Sequence, residues 1–142
     1  MTDRNKLVKE HIITKVLSGD LPPASDWHYE DAELSPTECI DLFETQVMSR
    51  HLDLHSRVMQ KQGQSFYTIG SAGHEGNAAY GKLFKYTDMA FLHYRSGAFF
   101  IQRAKQVAGE TPIYDMLLSF AASSDDPTSG GRHKVLGSKT LF

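Results

Sequence analysis

At 142 residues the chain is long enough for one ordinary domain and short for two. Its 40% hydrophobic and 23% charged residues exclude a wholly disordered, collagen-like or coiled-coil chain. Fifteen Lys+Arg against seventeen Asp+Glu, a net charge of −2, give no reason to expect nucleic acid as a partner. A single cysteine, Cys39, cannot form an internal disulfide, which suits a reducing, cytoplasmic setting. No apolar run approaches the ~20 residues that a membrane span needs, and no secretory signal follows Met-Thr-Asp-Arg-Asn-Lys.

The first element is an amphipathic helix over about 3–17, with Val8, Ile12 and Val16 at helical spacing and Leu7, Ile13 and Leu17 beside them. Ser18-Gly19-Asp20 stops it, and Leu21-Pro22-Pro23 begins an aperiodic, extended arm to residue 34. We therefore divide the chain into an N-terminal helix and arm, 1–34, and a main body, 35–142. Ser35-Pro36-Thr37-Glu38 has the form of a capping box with proline in the first turn. Behind it Ile40, Phe43, Val47, Leu54 and Val58 repeat at helical spacing until Gly63, predicting a helix about 40 Å long.

Ser65 to Ile69 favours a short strand, and Gly70-Ser71-Ala72-Gly73-His74-Glu75-Gly76 leads into a helix over 77–84. Its Gly-x-x-Gly-x-x-Gly spacing matches neither the dinucleotide fingerprint nor a P-loop, so it reads as a turn and cap or as a ligand loop. Met89 to Tyr94, short, apolar and aromatic, predicts a buried strand, followed by Arg95-Ser96-Gly97 and a helix over 98–107. A tyrosine and an arginine at a strand's carboxyl end, before a helix, occupy the place where open α/β sheets bind ligands, and arginine's planar fork suits phosphate. Thr111-Pro112 opens a last helix with Ile113, Met116, Leu117 and Phe120 on one face, and 128–134 is a polar, glycine-rich, basic loop. His51 and His55 share a helix face, but the HExxH order is absent and two ligands leave a zinc site incomplete.

Taken in order, several stretches resemble the N-terminal part of the thiamine-diphosphate-dependent E1 component of the 2-oxo acid dehydrogenase complexes, α subunit, branched-chain type. They are Ser49-Arg50-His51-Leu52-Asp53 with Gln62-Gly63, Phe66-Tyr67 leading to Ala72-Gly73-His74-Glu75, His93-Tyr94-Arg95, and Asp126-Pro127 through Gly131-Arg132 to Gly137-Ser138-Lys139. The resemblance spans residues 36–142, and the first 35 carry little of it. It implies an α/β, helix-rich part of a thiamine-diphosphate-binding fold with an incomplete parallel sheet. It also implies cofactor contacts at Phe66, Tyr94 and Arg95, with His74, Arg132 and His133 as candidate catalytic groups and His74 and Glu75 lining the site. Relatives commonly read Gly-Arg-Gln-Met-Pro where this chain has Gly131-Arg132-His133-Lys134-Val135.

The family's magnesium and diphosphate motif, Gly-Asp-Gly with a later asparagine, is not in the sequence, so no metal ligand is assigned. The expectation is an oxidoreductase piece, truncated before that motif, whose parent decarboxylates a 2-oxo acid with thiamine diphosphate and Mg2+ and acylates lipoyl-E2. Its partners would be the remaining α sequence and a β subunit or β-like half, and the piece alone would be inactive. The alternative is a small self-contained helical binding or adaptor domain without catalysis.

Overall fold

The structure, a computed structural model, describes residues 4–66, 70–132, 136–138 and 140–141. It is helix-rich: α1 (Arg4–Ser18), a 3-10 turn (Tyr29–Ala32), α2 (Pro36–Lys61), α3 (Asn77–Leu83), α4 (Gly97–Ala104) and α5 (Pro112–Phe120). The chain divides into two units at Ser35/Pro36. Among the described residues no helix is long and apolar enough to cross a membrane.

In the first unit α1 forms where the spacing predicts it, and Leu7, Val8, Ile12, Ile13, Val16 and Leu17 all remain exposed. The arm is not extended throughout. Its Tyr29–Ala32 turn is pinned where the His28 N–H donates to the Asp31 carboxylate at 2.7 Å.

The second unit is organised around α4, seven of whose eight residues are buried. Phe100, Ile101 and Ala104 meet Leu52 and Met59 of α2, Met116 and Phe120 of α5, and Leu136 and Leu141 beyond it. Burying aliphatic and aromatic side chains of this size is worth roughly 1.5–3 kcal/mol each. The polar residues of α4, with Lys105 and Gln106 just after it, lock its neighbours. Gln102 accepts from the Thr45 hydroxyl at 2.5 Å and donates to Asp41 at 2.6 Å, while Lys105 pairs with Asp41 at 2.6 Å. Burial tends to raise the Asp41 carboxyl, but hydrogen bonds from Lys105 and Gln102 outweigh it and hold the group below its usual value. Arg103, fully buried, donates to the Tyr86 and Asp88 carbonyls, and Gln106 binds the Gly81 and Phe84 carbonyls at 3.0 and 2.8 Å. These bonds satisfy carbonyls at the end of α3 and in the turn that follows it.

The end of α2 follows the Schellman pattern. Gly63 has φ +72°, its N–H donates to Gln60, and the Gln64 N–H reaches back to Met59 at 2.8 Å. The loop over 126–132 is also more structured than its composition suggests. Buried Asp126 accepts from the Thr128 and Ser129 N–H groups and from the Ser129 hydroxyl at 2.6 Å. Thr111 does not cap α5; its hydroxyl donates to the Asp115 carboxylate at 3.2 Å.

One expectation fails: no strand forms among the described residues, so the sheet of the α/β reading is not seen. Residues 89–93 run without regular structure, with Met89 and Phe91 exposed, the latter by 93%. A strand needs a neighbour for its N–H and C=O groups, and these described residues supply none. Of the other predicted strand, Ser65 and Phe66 are irregular and 67–69 lie outside the described residues.

The closest approach of α3 to α4 depends on Gly81. A Cβ there would stand 2.6 Å from the Phe99 carbonyl oxygen and 2.9 Å from the Gln102 Cβ. Alanine ordinarily improves a helix interior by about 1 kcal/mol, whereas overpacking against backbone costs about 1–3 kcal/mol. Gly81→Ala is therefore expected to lower the urea midpoint, and an unchanged or higher midpoint would refute this contact.

Candidate functional site

The residues predicted to carry chemistry fall on two loops, each leading into a helix. The first, Gly70–Gly76, precedes α3. It is anchored to α2 by Asp53, whose buried carboxylate accepts the Ser71 N–H at 2.6 Å. The loop passes close to α2 at Gly70, where a Cβ would lie 3.2 Å from Arg57 Nη2 and 3.3 Å from Asp53 Oδ2. The Glu75 carboxylate turns back to accept the Gly73 N–H at 2.7 Å, and Arg50 stands 3.9 Å from both Asp53 and Glu75. His74 is exposed, its backbone N–H donating to the Ser71 carbonyl at 2.9 Å.

The second loop, His93–Ser96, precedes α4. The Ser96 N–H donates to the His93 carbonyl at 2.8 Å, and the His93 N–H returns to the Ser96 hydroxyl at 3.2 Å. This closed turn leaves Tyr94 and Arg95 half-buried at the mouth of the helix. The Arg95 guanidinium lies over the Tyr94 ring, 4.9 Å from its centroid, and the His93 imidazole lies against the same ring, centroid to centroid 3.6 Å and tilted by 40°. No carboxylate among the described residues pairs with Arg95, in contrast to Arg50. A half-buried guanidinium held by a phenol and lacking a counter-charge is suited to a bidentate anion.

Ser49 connects the loops. Its hydroxyl lies 3.4 Å from that of Ser71, and a Cβ built on Gly97 would stand 3.5 Å from it. One turn of α2, Ser49 to Asp53, therefore lies against the start of the first loop and against Gly97, where the second loop enters α4. Sequence reasoning assigned no such role to Ser49, Asp53 and Ser71; the available signal was a serine and an aspartate four apart on an apparently amphipathic helix.

The other predicted residues are not drawn in. Phe66 is 83% exposed, and Arg132 is exposed on the 126–132 turn. His133 lies outside the described residues. His51 and His55 line an apolar groove between α2 and α5 with Met48, Leu52, Ile113 and Leu117. Among the described residues no group of three or more His, Cys, Asp or Glu is assembled to hold a metal. Comparison with protein-family models, curated proteins and solved structures finds no match to this chain.

Burial pushes the Asp53 carboxyl up, more than the bonds from Ser71 and the charge of Arg50 pull it down. The folded state thus binds this proton more tightly than the unfolded chain, so this contribution to stability is present at low pH and is lost as pH rises through the raised value. Asp53→Asn is expected to remove that part of the pH dependence in urea unfolding, while Asp115, also raised by burial, keeps its share. Asp53→Ala, which strips a buried N–H of its acceptor, is expected to cost about 1–3 kcal/mol. An alanine variant as stable as the parent would exclude the anchoring role.

Proposed function

We propose that this chain is the N-terminal part of a thiamine-diphosphate-dependent 2-oxo acid dehydrogenase E1 component, α subunit, of branched-chain type. Tyr94 and Arg95 then form part of the clamp on the cofactor's diphosphate. The observation that carries this reading is the Arg95 guanidinium, stacked on Tyr94 at the start of α4 with no carboxylate partner among the described residues. The order of the short motifs along 36–142 supports it independently.

Arg95 offers a fixed fork for phosphoryl oxygens, the Tyr94 hydroxyl adds a donor, and α4 presents its positive end to the same anion. Phe66 would supply an apolar wall beside the ring system. When bound, thiamine diphosphate stabilises the carbanion left by decarboxylation of a 2-oxo acid, and the acyl group passes to a lipoyl arm of E2. His74, Arg132 and His133 are candidates for groups at the reacting end, with Glu75 lining the approach. Magnesium requires a near-octahedral set of oxygen ligands, which the described residues do not assemble. We assign that set, with Gly-Asp-Gly and its asparagine, to further α sequence, and the second wall to a β subunit or β-like half. The chain alone is accordingly inactive.

The alternative of a self-contained helical adaptor calls for a finished surface, and exposed Leu83, Met89 and Phe91 weigh against it. Inorganic diphosphate, the part of the cofactor this site addresses, is the direct probe. Titration followed by NMR is expected to show weak binding that shifts the amides of 93–98. Arg95→Ala should weaken it about tenfold, the usual worth of one charge-assisted contact. Equal binding by the alanine variant would overturn the assignment, as would micromolar affinity for thiamine diphosphate and Mg2+ in calorimetry of this chain alone.

A further inference from the structure

Away from the two loops, α2 carries a second set of donor atoms. Met48, His51 and His55 fall at i, i+3 and i+7, on one side of the helix, and all three line the groove between α2 and α5. The rest of that lining is Leu52, Ile113 and Leu117, so no carboxylate, lysine or arginine stands in its wall. Met48 is half-buried against the core, while both imidazoles are exposed to solvent. Neither ring makes a hydrogen bond or ion pair among the described residues.

We propose that Met48, His51 and His55 form a copper(I) site in the α2–α5 groove, the ion held by one thioether sulfur and two imidazole nitrogens. Histidines four apart on a helix stand about 5–6 Å apart at Cβ and share one ion. The methionine one turn earlier adds a soft donor. Thioether sulfur selects Cu(I), which also accepts imidazole, whereas hard ions such as magnesium need oxygen. Charge points the same way. The ligands are neutral and the walls apolar, so nothing in the groove offsets the second charge of a divalent ion, and a monovalent ion costs less to desolvate there. Two imidazoles leave a tetrahedral zinc set incomplete; the added sulfur changes the preferred metal rather than completing that set. Cys39 lies about 14 Å back along α2 from Met48, beyond reach of the same ion.

This inference stands apart from the cofactor reading, because the diphosphate titration reports on Arg95 and a copper titration on α2. The chain, in a Cys39→Ser background that removes its one thiol, is titrated without oxygen with Cu(I) kept reduced by ascorbate, against a chromophoric copper(I) chelator. One equivalent is expected to pass to the protein. His51→Gln and His55→Gln should each weaken binding at least about tenfold, since even groups behind a metal's direct ligands cost that much. Their melting curves should stay unchanged, both rings being exposed. Met48→Leu keeps an apolar side chain of similar size and should also weaken Cu(I) at least about tenfold. His11→Gln, on an exposed histidine of the other unit, should change nothing. Cu(I) is diamagnetic, so NMR of the unsubstituted site should show the Met48 methyl moving together with the rings of His51 and His55; this decides the sulfur's role even if Met48→Leu disturbs the fold. Failure to withdraw copper, full affinity in either His51→Gln or His55→Gln, full affinity in Met48→Leu, a stationary Met48 methyl, or loss of binding with His11→Gln would each overturn the proposal.

Discussion

The eight-residue helix α4 constrains nearly everything else in the main body. Its apolar residues fill the core, and the amide and cationic side chains of Gln102, Arg103 and the Lys105–Gln106 pair just beyond it hold the segments around it. Gln102 and Lys105 fix α2 through Asp41 and Thr45, while Arg103 and Gln106 hold the turn after α3 by its carbonyls. A helix this short has little stability alone. It persists because it is buried and because Gln102 and the Arg103 Nη2 group find hydrogen-bond partners in the interior, which offsets the cost of burying them.

The same helix positions the candidate site. Tyr94 and Arg95 stand on the turn that enters α4, and that turn rests against Ser49 of α2 through Gly97. Ser49 and Asp53 in turn hold the glycine-rich loop before α3. Both loops are thus referenced to one turn of one helix, which is how a pair of irregular segments can present side chains in a reproducible arrangement. Arg95 differs from its neighbours in charge balance: Arg50 has two carboxylates nearby and Arg103 is held by carbonyls.

The five helices were legible because their punctuation is strong. Proline opens α2 and α5, glycine follows α2, and apolar residues recur at three and four throughout. The predicted strand at 89–94 was not borne out, since composition records that a segment is apolar but not whether a neighbouring strand exists. Periodicity also revealed α2 without revealing which side faces inward. The apolar stripe would ordinarily be taken as the core side, yet tertiary contacts selected the face bearing Thr45, Ser49 and Ser56. The Tyr94–Arg95 pair was singled out as standing between a strand's end and a helix; α4 does follow it, but no strand precedes it among the described residues, and the Asp53–Ser71 anchor joins residues eighteen apart, which no local pattern announces.

The small polar side chains along the inner side of α2 have a mechanical consequence. An interface of interchangeable aliphatic groups could slide by one turn with modest loss, but this one is indexed by direction. A shift of four residues would set Ser49 or Arg57 where Asp53 now receives the Ser71 amide, exchanging an acceptor of full negative charge for a hydroxyl or a cation. The helix is therefore keyed like a rack in a pinion, and changes of length in the connecting loops can be absorbed without altering which tooth engages.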